Sequence, residues 1–399
     1  MTQIPIQPPP RSADRRRFAA FALGFRPFFL TAGLAAVTLM ALWLFAWHGG
    51  LTPERYYGRV GWHIHEMLWG YTVAVIAGFL LTAVRNWTGR PTATGWSLAG
   101  LVALWLGGRL LPWVPGLAPW LLAMVDMAFL PVLALSLVRP LWAVPNRPNR
   151  GFVLLLLAMA VANGMVHAEA LGWISGLARR SDLLMLTLVL LTLAIVAGRV
   201  LPFFTEKALP GSRPRHWVFI ERAGLVLFLV LPLAVVTDAP SALTGVLWLA
   251  LALVQAIRWG GWYERRIWTR PILWVLFSGY AWMVLGLLLS GLASFGGFPT
   301  SGAIHALTVG AVGVFTLGMM ARVALGHTGR PMRSATAVNL AFGILNLAAA
   351  VRVFGPFAAP TWYLSWILLS GLLWLASFSI FLAIYAPVLL RPRVDGQPG

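Results

Sequence analysis

Twelve apolar stretches, each near the length that crosses a bilayer, follow one another along this sequence. They run over about 24–47, 61–83, 95–111, 119–138, 151–173, 183–204, 217–236, 241–260, 271–294, 301–324, 334–353 and 361–389. A spanning helix needs about 20 mostly apolar residues. Lipid offers no partner to an open strand edge, so stretches of this kind cross as helices. Composition points the same way: 59% of the residues are hydrophobic and 10% are charged. A soluble domain carries about 25% charged residues, and this chain cannot cover its surface in water with so few. The sequence therefore predicts an all-α polytopic membrane protein of about twelve transmembrane helices, with the lipid bilayer as a partner.

The formal net charge is +19, from 30 Lys and Arg against 11 Asp and Glu. In a soluble protein such an excess suggests nucleic acid. Here its placement argues for topology instead, and no nucleic-acid partner is expected. With the N-terminus in the cytoplasm, inside segments hold 20 Lys and Arg, and outside segments hold four: Arg55, Arg59, Arg179 and Arg180. That asymmetry is the positive-inside pattern. It predicts a bacterial inner-membrane protein with both termini cytoplasmic. The expected organisation is a cytoplasmic tail over 1–17, one transmembrane domain over 18–390, and a second tail over 391–399. The apolar run after the first tail is too long for a signal-peptide core. Cysteine is absent, which excludes disulfides, thiolate-bound copper, iron–sulfur clusters and covalently attached haem.

A repeat runs through the chain. His65, Gly70, Gly78 and Thr88-Gly89-Arg90-Pro91 in the second stretch recur as His305, Gly310, Gly318 and Thr328-Gly329-Arg330-Pro331 in the tenth, each displaced by 240. The sixth stretch keeps Gly198, displaced by 120 from both Gly78 and Gly318, and has Met185 in place of the histidine. A displacement of 120 spans four stretches. It predicts three four-helix units over about 18–140, 141–262 and 263–390.

Five of the seven histidines fall near the outer ends of predicted helices: His48, His63, His65, His167 and His305. Coordinating groups inside a membrane are costly and mark functional sites by default. Imidazole is a good ligand for haem iron and for copper. His65 and His305 hold equivalent repeat positions and are the expected axial pair of a haem. His63 and His65 point about 200° apart on a helix, so they are not expected to share an ion. His63 is expected to look instead towards His48 or His167, forming a second metal site. Glu66 and Glu169 sit beside these histidines and are candidates to fix an imidazole tautomer or carry protons. Arg109 and Arg352, at outer helix ends, are candidate partners for haem propionates. Asp126 and the Glu221–Arg222 pair read as structural, and His327 as part of a turn.

At these residues the sequence resembles the NnrS family. The resemblance rests on Gly24-Phe25-Arg26-Pro27-Phe28-Phe29, Trp62-His63-Ile64-His65-Glu66-Met67, Asn86-Trp87-Thr88-Gly89-Arg90-Pro91, Val166-His167-Ala168-Glu169, His305-Ala306-Leu307-Thr308-Val309-Gly310 and Gly326-His327-Thr328-Gly329-Arg330-Pro331. It implies a twelve-helix bacterial membrane protein containing haem b and copper, linked to nitric oxide response and nitrosative stress. A weaker architectural resemblance is to the catalytic subunits of haem–copper oxidases and nitric oxide reductases. Those have three four-helix arcs, with a haem between histidines of helices two and ten. This sequence lacks their copper-site histidines on helices six and seven, so no oxygen-reducing or proton-pumping centre is expected.

The residues leave the activity open among three readings. One is a haem protein of nitric oxide metabolism or defence, working as an oxidoreductase on nitric oxide or metal-nitrosyl species with an electron donor the sequence does not name. The second is a twelve-helix secondary transporter, and the third a non-catalytic haem or copper holder.

Overall fold

The computed structural model describes residues 18–50, 53–145 and 147–397. The expected tail at 1–17 lies outside them, as do the last two residues of the tail at 391–399. Among the described residues there is no strand. The long helices are α1 (Phe25–Trp47), α2 (Arg59–Thr88), α3 (Gly95–Leu110), α4 (Pro119–Trp142), α5 (Arg147–Ala170), α6 (Ala178–Ala208), α7 (Val218–Val236), α8 (Ser241–Trp262), α9 (Pro271–Ser294), α10 (Thr300–His327), α11 (Thr336–Ala358) and α12 (Tyr363–Leu390). The helix α3 has 16 residues, or about 24 Å of rise, and is the shortest of them.

Consecutive helices pack side by side, and α12 returns to pack on α1. Within that arrangement α2, α10 and α6 are 89%, 72% and 67% buried over their most apolar windows, against 33% to 61% for the other long spans. These three carry the repeated glycines. Close packing is what the glycines provide, since small residues let helices in lipid approach. A Cβ on Gly78 would come within 2.9 Å of Phe29 in α1, and one on Gly318 within 2.7 Å of Val275 in α9. A Cβ on Gly198 would meet the Arg258 guanidinium of α8.

Two of the inner helices share a distortion. A π-helical segment, Glu66–Thr72, interrupts α2 directly after His65, and another, Ala306–Gly313, interrupts α10 directly after His305. Such widened turns concentrate at functional sites. Each extra residue turns the preceding part of the helix by about 100° relative to the rest. The azimuth of the histidines is therefore not the one a regular helix would give.

The turns that recur in the repeat have structural tasks. Gly89 and Gly329 adopt φ values of +64° and +72°, the left-handed conformation that ends a helix without a Cβ penalty. Thr88 and Thr328 each donate to a carbonyl of the preceding turn, on Val84 and Ala324. Arg26 is buried and donates to the carbonyls of Leu389 and Arg391, at 3.0 and 2.6 Å, in the last turn of α12 and just past it. A cation at a helix C-terminus is favoured by the dipole, and this one ties α1 to the chain's last helix. Arg258, one of the 20 charges assigned to inside segments, is instead a buried residue of α8, bonded to Glu221, Gln255 and Tyr280. Arg322, near the inner end of α10, is also buried. Its guanidinium lies 3.6 Å from the ring centroid of Phe204.

Candidate functional site

Four of the five histidines singled out by the sequence separate into two groups, on opposite sides of α2. His65 faces α4 and α5. Its Nε2 lies 3.2 Å from Asp126 Oδ2 and 3.1 Å from Asn163 Oδ1. His167 Nε2 approaches the same Asp126 oxygen at 3.0 Å, and Asn163 donates to it at 2.8 Å. His65, Asp126 and His167 offer three ligand atoms within 4.8 Å of one another, all on buried residues. Two imidazoles and one carboxylate suit a divalent transition metal.

Arg109 holds this group from the other side. Its Nε is 2.7 Å from Glu66 Oε2 and its guanidinium donates to Asp126 Oδ1 at 2.5 Å. Two carboxylates face one guanidinium, so with neutral imidazoles these five side chains carry a net charge of −1. A proton or a metal cation corrects that imbalance in a medium where an uncompensated charge is expensive. Glycine makes room for the arrangement: a Cβ on Gly108 would come within 2.1 Å of Asp126 Oδ1, and one on Gly70 within 3.0 Å of Glu66.

The connection between α1 and α2 roofs the group. A short helix, Glu54–Tyr57, places the Tyr57 ring against His65 with centroids 4.4 Å apart and the Tyr56 hydroxyl 2.7 Å from His167 Nδ1. With His167 Nε2 turned to the carboxylate, Nδ1 is the acceptor and the phenol donates. Burial, and then the negative charge of Asp126, push the Tyr56 phenol above its ordinary range, so it keeps its proton. Trp69 stacks on His65 from below, with centroids 5.1 Å apart.

His63 and His305 line a different space, a cavity of about 460 Å³ between α1, α2, α6, α10, α11 and α12. Its volume falls in the range of small-molecule and cofactor pockets. His63 is held flat against Trp43, with ring centroids 4.2 Å apart. His305 Nδ1 donates to the Ser301 carbonyl at 2.6 Å. That bond fixes the tautomer and leaves Nε2 as the ligand nitrogen. Arg352 also lines the cavity and donates to Ser301 Oγ at 3.1 Å.

The protein's relatives follow from its sequence. The family model described as NnrS protein matches residues 19–393. The chain belongs to the NnrS family. A stretch of 170 residues is also 32% identical to the ESX-2 secretion system protein eccD2 of Mycobacterium tuberculosis (strain CDC 1551 / Oshkosh). That stretch covers 41% of this chain and 30% of the mycobacterial protein. The NnrS match takes in both groups of histidines and every turn of the repeat.

The structure redistributes the residues that the sequence singled out. His65 and His305 are not brought to one space: His305 is on the cavity wall with His63, whereas His65 is turned to Asp126 and His167. His63 and His65 do look in different directions, but His63 faces neither His48 nor His167. His48 is bonded through Nδ1 to the Leu44 carbonyl of its own helix. Arg109 is paired with Glu66 and Asp126, away from the cavity, while Arg352 is on it. Glu66 sits in the first group, with Oε1 3.6 Å from His65 Nδ1. Glu169 does something else: its carboxylate accepts the backbone N–H groups of Leu177 and Ala178, at 2.5 and 2.6 Å, where α6 begins. Asp126, read from the sequence as structural, stands at the centre of this group with two imidazoles and Arg109 on its carboxylate, whereas Asn163, Tyr56 and Tyr57 are not among the residues the sequence singles out. A carboxylate in the apolar run of α4 was itself a signal. The tyrosines lie in a connection and gave none.

Proposed function

We propose that this NnrS-family membrane protein binds haem b in the cavity walled by His63 and His305, and a second metal ion, copper, at His65, Asp126 and His167. The proposed role is in nitric oxide response or nitrosative-stress defence. The observation that carries it is a cavity of cofactor size, about 460 Å³, with two imidazoles and Arg352 on its wall. The donor set fits: Nε2 of His305 is left open by its bond to Ser301, and His63 is oriented by Trp43. The Arg352 guanidinium is suited to a propionate. Trp374 and Tyr71 add aromatic wall on the same cavity. Bound haem supplies one-electron chemistry and an iron that can take a diatomic ligand.

The chain's own contribution at the second group is to position and neutralise. Asn163 and Arg109 hold the Asp126 carboxylate. Tyr56 fixes the His167 tautomer, and Tyr57 and Trp69 sandwich the His65 ring. A metal held there by His65, Asp126 and His167 would take the place of the protons shared between the two Nε2 atoms and the carboxylate. The positive-inside pattern supports the bacterial inner membrane, cytoplasmic termini and a site near the periplasmic face.

Absorption spectra of detergent-purified protein from haem-replete cells test this reading, taken oxidised, reduced, and reduced with nitric oxide, together with metal analysis. The expected result is a reduced b-type spectrum that shifts with nitric oxide, plus a bound copper ion. A colourless, metal-free protein would overturn the proposal and favour transport of a solute through the same cavity.

A further inference from the structure

Beneath the large cavity, where α2, α6 and α10 meet, lies a smaller chamber of about 60 Å³. Its walls include two layers of positions spaced 120 and 240 apart: Thr72, Thr192 and Val312, then Ile76, Val196 and Thr316. The chamber therefore sits where an axis relating the three four-helix units would run. Thr72 and Val312 line both spaces, so the two lie side by side with a shared wall.

We infer that this chamber is a dry site for one small uncharged apolar molecule, of the size of a diatomic gas or a xenon atom. Three observations carry it. The volume has room for a few water-sized spheres, the scale of a diatomic molecule or a noble-gas atom. The threonine hydroxyls are already committed to their own helices: Thr72 to the Met67 carbonyl at 2.8 Å, Thr192 to Leu188 at 2.8 Å and Thr316 to Val312 at 2.6 Å. With that proton given to Val312, Thr316 accepts from the Tyr71 hydroxyl at 2.6 Å. No polar atom is accessible on the chamber's wall, so a water there would lack the two to four polar partners it needs, and apolar cavities of this kind stay dry and take up xenon. No charged side chain lines the chamber, so an ion gains nothing there. Its use as a reservoir beside a haem rests on the preceding reading, but its occupancy does not.

Crystals of the full chain under xenon pressure test the inference. One anomalous peak is expected between α2, α6 and α10 in the wild type. It should vanish in Val196→Phe, which fills the space, and persist in Thr192→Val, which removes a hydroxyl that the chamber does not use. A wild-type map with ordered water or no xenon there overturns the inference without any variant, as does a peak that survives Val196→Phe. Xenon in a protein that lacks haem would leave the chamber standing while the haem reading fell.

Discussion

Replacing Arg109 with Met removes the guanidinium that faces both Glu66 and Asp126. Its contacts of 2.7 and 2.5 Å lie in a part of the molecule where Arg109 is 8% and Glu66 1% exposed. Removing one partner of a buried ion pair costs about 3–5 kcal/mol, because the other charge stays behind uncompensated. Here two carboxylates stay behind, so the upper part of that range is expected. It corresponds to a shift in the unfolding equilibrium of about a thousandfold or more. The assay is equilibrium unfolding of metal-free protein in mixed micelles, followed by tryptophan fluorescence. A triple variant, Arg109→Met with Glu66→Gln and Asp126→Asn, should recover most of the loss, since it leaves no buried charge unpaired. The exposed pair Arg180–Asp238, at 41% and 80% exposure, serves as the control. Breaking it should cost about 1 kcal/mol or less. A cost below about 1 kcal/mol for Arg109→Met, or a triple variant as unstable as the single one, would refute the charge argument.

Other perturbations separate the parts of the site. Glu169→Ala should destabilise the start of α6 by about 0.5–2 kcal/mol, the usual value of a helix N-terminal cap, without altering metal content by elemental analysis. Gly108→Ala should push Asp126 off its position and lower the affinity of the second metal by at least about tenfold, the lower end of the effect of losing a group that orients a ligand, read by competitive chelator titration. For Tyr56 the sign is set by a phenol raised in the folded state. Stability is complete below the unfolded value near pH 10 and declines as pH rises beyond it. Tyr56→Phe should flatten that alkaline decline in unfolding midpoints. Arg26→Met should loosen the junction of α1 with the end of α12, seen as faster amide exchange at residues 388–391.

The helices were legible because lipid leaves the backbone no alternative, so apolar length alone reports them. The opposed directions of His63 and His65 were legible too, from two residues of separation on a helix. Their partners were not. Which neighbour each ring meets depends on how α2 and α10 are rotated, and both are re-aimed by π-helical segments that hydropathy does not reveal. Equivalence in the repeat suggested His65 with His305. The structure gives His305 to His63 because the two units surround different neighbours: α2 has α4 and α5 beside it, with Asp126 and His167, whereas α10 has α11, with Arg352. Asp126 was visible as a carboxylate in an apolar run, but only the packing of α3, α4 and α5 shows that Arg109, Asn163 and both imidazoles converge on it. Glu169 illustrates the converse. Two residues from His167 in sequence, it is drawn to the unsatisfied N–H groups at the start of α6.

The central claim is that the two groups of histidines hold two different cofactors. It is tested most directly by haem content per protein, measured side by side in His63→Ala, His305→Ala, His65→Ala and His167→Ala, all purified from haem-replete cells. The account predicts that the first two lose haem and that the last two retain it while losing the second metal. Haem lost from His65→Ala and kept in His63→Ala would contradict it.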